Sequence, residues 1–201
     1  LTNKHLEQSD IVQYKGMQRQ ILEHRAEFDE EPYWIDNAFV GMPTYQITAH
    51  YPYDLLRYLE TAFFFLPRPA DMLFLYLFFF YVFAQSRRFS KPVSVLGAFA
   101  YGFSSYYIII LMVGHNTKAM TLAYAPLVFL GLFQVLIDRK KWGILWLTFG
   151  LALQLHANHL QMTYYTLVMV FIITLMWGVH TWYKRGILYT LKPVSTLLIS
   201  G

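Results

Sequence analysis

Asp10, His115, Lys118, His156 and His159 are the side chains of this 201-residue chain whose types and surroundings suit proton or phosphate chemistry. Asp10 follows Ser9 and precedes an apolar-periodic stretch. A carboxylate there can accept a proton from an attacking hydroxyl, or hold a divalent cation against a phosphate. The same Ser9-Asp10 pair can instead cap a helix beginning near Ile11, and the two roles are compatible. His156 and His159 stand three apart, a spacing that puts two side chains on one side of a helix end. With Gln161 and Tyr164 they could hydrogen-bond a sugar or a phosphate. A His-x-x-His pair falls short of the three or four ligands of a zinc site, and hydrated interfacial histidines would look the same.

His115, Asn116 and Lys118 form a second polar group between apolar runs, and Lys118 suits a phosphate as a point charge; snorkelling toward a lipid headgroup is its ordinary alternative. Arg57 is a second phosphate candidate. Trp34, with Tyr33, Tyr45, Tyr51 and Tyr53, could stack on sugar rings, although interfacial aromatic belts have the same composition. Glu30, Glu31 and Asp36 read as a solvated turn, with Asp36 as an additional carboxylate candidate. The chain has no Cys, which excludes disulfides and thiolate metal sites. It also carries no glycine-rich loop of the nucleotide-binding kind.

These groups need a scaffold, and composition points to a membrane. Hydrophobic residues make up 56% of the chain and charged ones 14%, whereas soluble domains carry about a quarter charged residues. Ten of the twelve Asp and Glu lie within residues 1–60. The chain therefore divides into a polar front, 1–69, and a lipid-compatible back, 70–201. The net charge of +4 is no nucleic-acid signal, because the excess sits in short clusters between apolar runs. Five runs approach the length of a spanning helix, about 17–25 residues: 70–85, 92–113, 119–137, 142–156 and 162–182, with a sixth starting near Pro193. The expectation is an all-α polytopic transmembrane bundle with a partly helical first loop, preceded by a further upstream span.

Charge sets the orientation. Arg87, Arg88 and Lys91 follow the first run, Arg139, Lys140 and Lys141 the third, and Lys184, Arg185 and Lys192 the fifth. Basic loops face the cytoplasm, so residues 1–69 and the turns 114–118 and 156–161 are expected on the outside. Within the front, a helix over about 11–27 has Tyr14, Met17, Ile21 and Phe28 on one apolar stripe and is expected to lie along the membrane surface. A second helix is expected over 54–65, returning to the interface.

Several stretches together resemble YfhO-type bacterial membrane proteins: Ser9–Met17, Glu31-Pro32-Tyr33-Trp34 with Gly41-Met42-Pro43-Thr44-Tyr45, Gly114-His115-Asn116-Thr117-Lys118, and His156–Tyr165. That group is similar to the GT-C glycosyltransferases. The resemblance implies a multi-pass enzyme of the bacterial cytoplasmic membrane. It would move a sugar from a polyprenyl-phosphate donor to an acceptor on the extracytoplasmic face. It further implies that Asp10 is the catalytic carboxylate or a partner to a divalent cation, and that membrane lipids, not nucleic acid, surround the site. Two competing classes are a transporter or flippase for a lipid or small solute, and a non-catalytic subunit of an envelope complex.

Overall fold

Between Ala70 and Arg185 the apolar runs become helices, one of them split in two, and the basic or polar breaks become turns. The computed structural model describes residues 8–48, 51 and 53–186; the run expected from Pro193 lies outside them, as do His5, His50 and Lys192. The described elements are α1 (Ser9–Phe28), β1 (Trp34–Ile35), β2 (Met42–Pro43), α2 (Leu55–Phe63), α3 (Ala70–Ser86), α4 (Lys91–Gly102), α5 (Ser105–Val113), α6 (Asn116–Leu136), α7 (Trp142–His156) and α8 (Leu160–Arg185). The fold is all-α; among the described residues its one sheet is the antiparallel pair Trp34–Ile35 with Met42–Pro43.

Among the described residues two helices, α6 and α8, are long and apolar enough to cross a membrane, and α4 with α5 makes a third if the pair is one span. Helices α3 and α7 have 17 and 15 residues. At 1.5 Å per residue they reach about 25 and 22 Å, against a hydrocarbon core of about 30 Å. The uninterrupted run expected over 92–113 is broken, with a 47° bend between α4 and α5. The cause lies in Gly102-Phe103-Ser104-Ser105. Ser104 adopts an extended backbone at the head of α5, a position serine favours because it competes poorly inside helices. Gly102 packs so closely on Leu77 that a Cβ would lie 2.8 Å from Leu77 Cδ2.

The scaffold is held most tightly where α6 and α7 cross antiparallel. A Cβ on Gly131 would run into the Leu147 backbone. One on Gly143 would lie 2.8 Å from Val135 N, and one on Gly150 2.8 Å from Val128 N. In lipid there is little hydrophobic drive between helices, so small residues that let backbones approach supply the attraction. Tyr76, Tyr124, Met72, Leu75, Leu127 and Leu153 fill the core between α3, α6 and α7. At one end of the bundle Arg87 grips Asp138 with both guanidinium arms, at 2.9 and 3.2 Å, joining the α3–α4 and α6–α7 turns.

The front segment folds on itself. Ile21 is fully buried against Ile35 and Ala38, with Met17, Met42 and Ile47 around them. Gln20 Oε1 accepts from the Asp36 and Asn37 amides, while Arg25 binds Glu31 and the Thr48 carbonyl. The stripe expected on α1 is thus only partly right as a membrane face. Met17 and Ile21 are covered by the segment 35–47, and Tyr14 and Phe28 remain exposed. The expected Ser9-Asp10 cap is also corrected. The helix starts at Ser9 after Gln8, with no side-chain cap bond, and Asp10 sits in the first turn, where its charge still suits the helix dipole.

Replacing Gly131 with Val is expected to destabilise the protein by about 1–3 kcal/mol, through overpacking against Leu147. Gly178→Ala on α8, where a Cβ meets nothing within 4 Å, should be neutral or slightly stabilising. Thermal unfolding of both variants in detergent checks the contrast.

Candidate functional site

Helix α2 lies across the ends of α6 and α7 because Leu56 and Phe63 are anchored on the core, with Phe63 edge-on to Phe79 at 5.7 Å. Leu56, Glu60 and Phe63 fall at i, i+4 and i+7, so the face that buries the two apolar groups also turns Glu60 inward. At the start of the helix Asp54 Oδ1 accepts from the Arg57 amide at 3.1 Å, which leaves its other oxygen free to turn toward the bundle. His156, the last residue of α7, fills the gap between them. Its Nε2 is 2.7 Å from Asp54 Oδ2 and its Nδ1 is 3.0 Å from Glu60 Oε2. The chain of contacts continues inward, since Tyr124 donates its hydroxyl to Glu60 Oε1 at 3.0 Å.

A cavity of about 520 Å³ opens over this cluster. Asp54, Arg57, Glu60 and His156 form its polar wall, with Tyr45 and Tyr51, Thr117 from the first turn of α6 and Asn158 from the α7–α8 turn also lining it. A smaller recess of about 300 Å³ beside it shares Tyr45 and Asn158 and adds His159 and Gln161. Asn158 takes a positive φ of 57° and donates to the Tyr45 carbonyl at 2.7 Å, tying the α7–α8 turn to the front segment.

Asp10 pairs with His115 Nδ1. The pairing is fixed by two neighbours. Gln8 donates to the Leu111 carbonyl at 2.5 Å. Gly114, with φ of +93°, lets the start of α1 come so close that a Cβ would lie 2.9 Å from Gln8 Cβ. Thus the N-terminus of α1 and the α5–α6 turn meet at the same end of the bundle as the cavity, although Asp10 itself does not line it.

The other expected site residues divide. Arg57, His156, His159 and Gln161 line one of the two openings, whereas His115, Asn116, Lys118, Tyr164 and Trp34 line neither. Lys118 sits over the Tyr106 ring at 5.3 Å, a cation–π contact that gives this cation a protein partner. Trp34 packs on Gly41 and donates to Asp36 at 3.1 Å. Tyr164 is exposed on α8, and Gln161 donates to the Tyr165 hydroxyl at 2.8 Å. The expectation that His156 and His159 share one helix side is corrected. They belong to different helices across the Ala157-Asn158 turn, and His159 heads α8, where its ring nitrogen accepts from the Met162 amide at 3.3 Å.

Sequence reading missed Asp54 and Glu60. The signal was present: an acidic residue on the Leu56–Phe63 stripe must be buried, and a buried carboxylate requires partners.

Electrostatics separates the two carboxylates. Burial raises the Asp54 carboxyl, but the hydrogen bonds from His156 and from the Arg57 and Leu56 amides outweigh it and leave Asp54 below its ordinary value. For Glu60 burial prevails over His156 and Tyr124, and its carboxyl is held above the usual range. His159 is held down by burial and by the positive charges of Lys118 and His115 nearby. Asp54 is therefore the partner that carries the charge facing His156, and Glu60 is the one that holds a proton more readily. Among the described residues no three His, Asp or Glu side chains are disposed to hold a metal ion. His156 separates the two carboxylates of the cavity, and the Asp10 carboxylate faces His115, so neither place offers a preformed cation cage.

No protein-family model matches this chain, and no curated protein or solved structure matches it.

The lowered Asp54 carboxyl contributes stability that is present above its unfolded value, about pH 4, and is lost as pH falls through the folded value. Glu60 has the opposite sign, its protonation favouring the fold. Asp54→Asn is expected to cost about 1–2 kcal/mol at pH 6, a gap that narrows toward pH 3. Unfolding of parent and variant across that range measures it.

Proposed function

We propose that the chain is part of a polytopic membrane glycosyltransferase. It takes a sugar from a polyprenyl-phosphate donor and passes it to an acceptor hydroxyl on the extracytoplasmic face of a bacterial cytoplasmic membrane. In this reading α3 and α7 span alongside α6, α8 and the bent α4–α5 pair, giving five crossings, with local thinning of the bilayer offsetting their short length. The observation that carries the proposal is the cavity at the end of the bundle. A buried carboxylate, a charged carboxylate, an imidazole and a guanidinium converge there under tyrosines, beside a second carboxylate–imidazole pair, Asp10 with His115. Ionisable groups at that depth are costly, and they mark substrate sites more often than scaffold.

The chemistry divides between the two clusters. Sugar hydroxyls suit Asp54, Glu60 and Asn158, and Tyr45 and Tyr51 can cover a sugar face. Arg57 meets the phosphate as a planar fork, Lys118 adds positive potential for the rest of the lipid-linked head, and the imidazoles of His115 and His159 offer it hydrogen bonds. Asp10 is the proton acceptor implied by the resemblance. It lies outside the cavity lining, at the same end of the bundle, with His115 to orient its carboxylate and share the proton. As the acceptor oxygen bonds to the anomeric carbon, the bond to the donor phosphate breaks and the lipid phosphate leaves with its electron pair. Asp54 with His156 is a second proton acceptor, favoured by its place on the cavity wall.

Sugar incorporation by the intact protein in proteoliposomes tests both. Asp10→Asn is expected to lower turnover by about 10²–10⁴-fold, the usual worth of a positioned base, while His156→Gln raises the donor KM. Loss of turnover in His156→Gln with Asp10→Asn unaffected would move the base to Asp54–His156. Parental rates in both variants would refute sugar transfer at this site.

A further inference from the structure

The smaller recess of about 300 Å³ beside the cavity has a chemistry of its own. It is lined by Tyr45, Gln46, Asn158, His159, Leu160 and Gln161, and none of these is Asp, Glu, Lys or Arg. The larger cavity, in contrast, has two carboxylates, a guanidinium and an imidazole on its wall. The two openings share Tyr45, Gln46 and Asn158, so a ligand in one lies beside a ligand in the other. They differ in charge.

The groups around the recess are of the kind that meets hydroxyls. Asn158 donates to the Tyr45 carbonyl at 2.7 Å, Gln161 to the Tyr165 hydroxyl at 2.8 Å and Gln46 to the Tyr45 hydroxyl at 3.2 Å. Each amide thus engages its nitrogen within the protein and has its carbonyl oxygen to offer, a neutral acceptor. His159 supplies the opposite sense. Its Nδ1 accepts from the Met162 amide at 3.3 Å, so the neutral ring carries its proton on Nε2 and donates from there. Burial and the neighbouring Lys118 hold this imidazole below its ordinary value, which keeps it neutral at pH 7. Tyr45 and Leu160 are 49% and 63% exposed and add apolar surface. A few oriented polar groups set on apolar surface are what a small-ligand pocket needs.

We infer that this recess binds a neutral saccharide. Its hydroxyls donate to the amide oxygens of Gln46, Asn158 and Gln161, one of its oxygens accepts from His159, and a C–H face packs on Tyr45 and Leu160. The same three oxygens disfavour a phosphate or carboxylate, which would give up its hydration with a single donor in return. That this saccharide is the acceptor of the transfer rests on the proposed function; its binding does not. As acceptor it lies across the Tyr45–Asn158 wall from the donor sugar. His159 has one ring N–H and serves one ligand at a time, and its place on the recess gives it to the acceptor once both are bound.

The test is calorimetric titration of the intact protein in detergent with maltose, chitobiose or glycerol phosphate, together with donor and acceptor KM values in proteoliposomes. Two variants alter the recess alone: Gln161→Leu removes an acceptor, and Leu160→Trp fills the opening. Both positions are exposed, so thermal unfolding without ligand should stay parental. At least one of the two saccharides should bind the parent. Its binding should weaken about five- to tenfold in Gln161→Leu, the usual worth of one neutral hydrogen bond, and further in Leu160→Trp. Arg57→Gln, on the larger cavity, should keep it. In the transfer assay Gln161→Leu should raise the acceptor KM and leave the donor KM parental. Saccharide binding that survives both recess variants would overturn the inference, as would no saccharide binding in a parent that still transfers sugar. Glycerol phosphate binding as tightly as the saccharide, and lost with it in Gln161→Leu, would overturn the neutral class of ligand. Recess-dependent saccharide binding without any sugar transfer would uphold the site and overturn only its role as the acceptor's place.

Discussion

His156 held between Asp54 and Glu60 is the contact on which the rest of this structure depends. A polar segment rich in acidic residues precedes a bundle of apolar helices, and it has to be fastened to them. Apolar burial by Leu56 and Phe63 brings α2 to the ends of α6 and α7, but it is not directional. The imidazole supplies direction through the hydrogen bond between its Nε2 and the residue that begins α2, while its other nitrogen lies 3.0 Å from a carboxylate nearly two turns along that helix. Glu60, buried at this junction, would be a cost without His156 and Tyr124. The same arrangement that fastens the segment therefore lines the cavity with charge.

The two ends of the bundle solve opposite problems. At the cavity end, carboxylates and histidines from distant parts of the chain converge, and close approach at Gly114 lets α1 seat on the α5–α6 turn. At the other end the charges are basic; Arg87 and Asp138 lock two turns together while Arg139, His180, Lys184 and Arg185 surround an opening. Between them the glycine seam of α6 and α7 sets the spacing. It matters for function because His156 is the last residue of one of those helices, and Thr121, a turn inside α6, has its carbonyl taken by the buried Gln154 at 2.9 Å.

Much of the helical framework was legible in the sequence because its cause is local. The runs at 70–85 and 142–156 became helices with almost the same bounds, since prolines, basic residues and Asn158 punctuate them sharply. The break at Ser104-Ser105 was missed because an apolar count weighs serines lightly, whereas the extended backbone at Ser104 sets where the helix restarts. The α1 stripe was recognised, yet its partner was misjudged; periodicity says that Met17 and Ile21 are covered, not by what. Among the candidate site residues, His156 and Arg57 were legible as ionisable groups near apolar runs. Asp54 and Glu60 were read merely as part of a helix, because their importance comes from the docking of α2 on helices a hundred residues away. The shared side expected of His156 and His159 failed for a related reason: a three-residue spacing means one face only while the helix continues, and here it ends at the first histidine.

The central claim is that residues 8–60 and the turns at 114–118 and 156–161 face the same aqueous compartment, with the basic turns facing the other. The chain contains no cysteine, so single cysteines at exposed positions report without background. Cysteines replacing Tyr53, Asn158 and Lys140 should be tested one at a time with a membrane-impermeant maleimide, on intact cells and again after permeabilisation. The account predicts labelling at 53 and 158 in intact cells, and at 140 only once the membrane is opened. Labelling of 53 and 158 from opposite sides would contradict it.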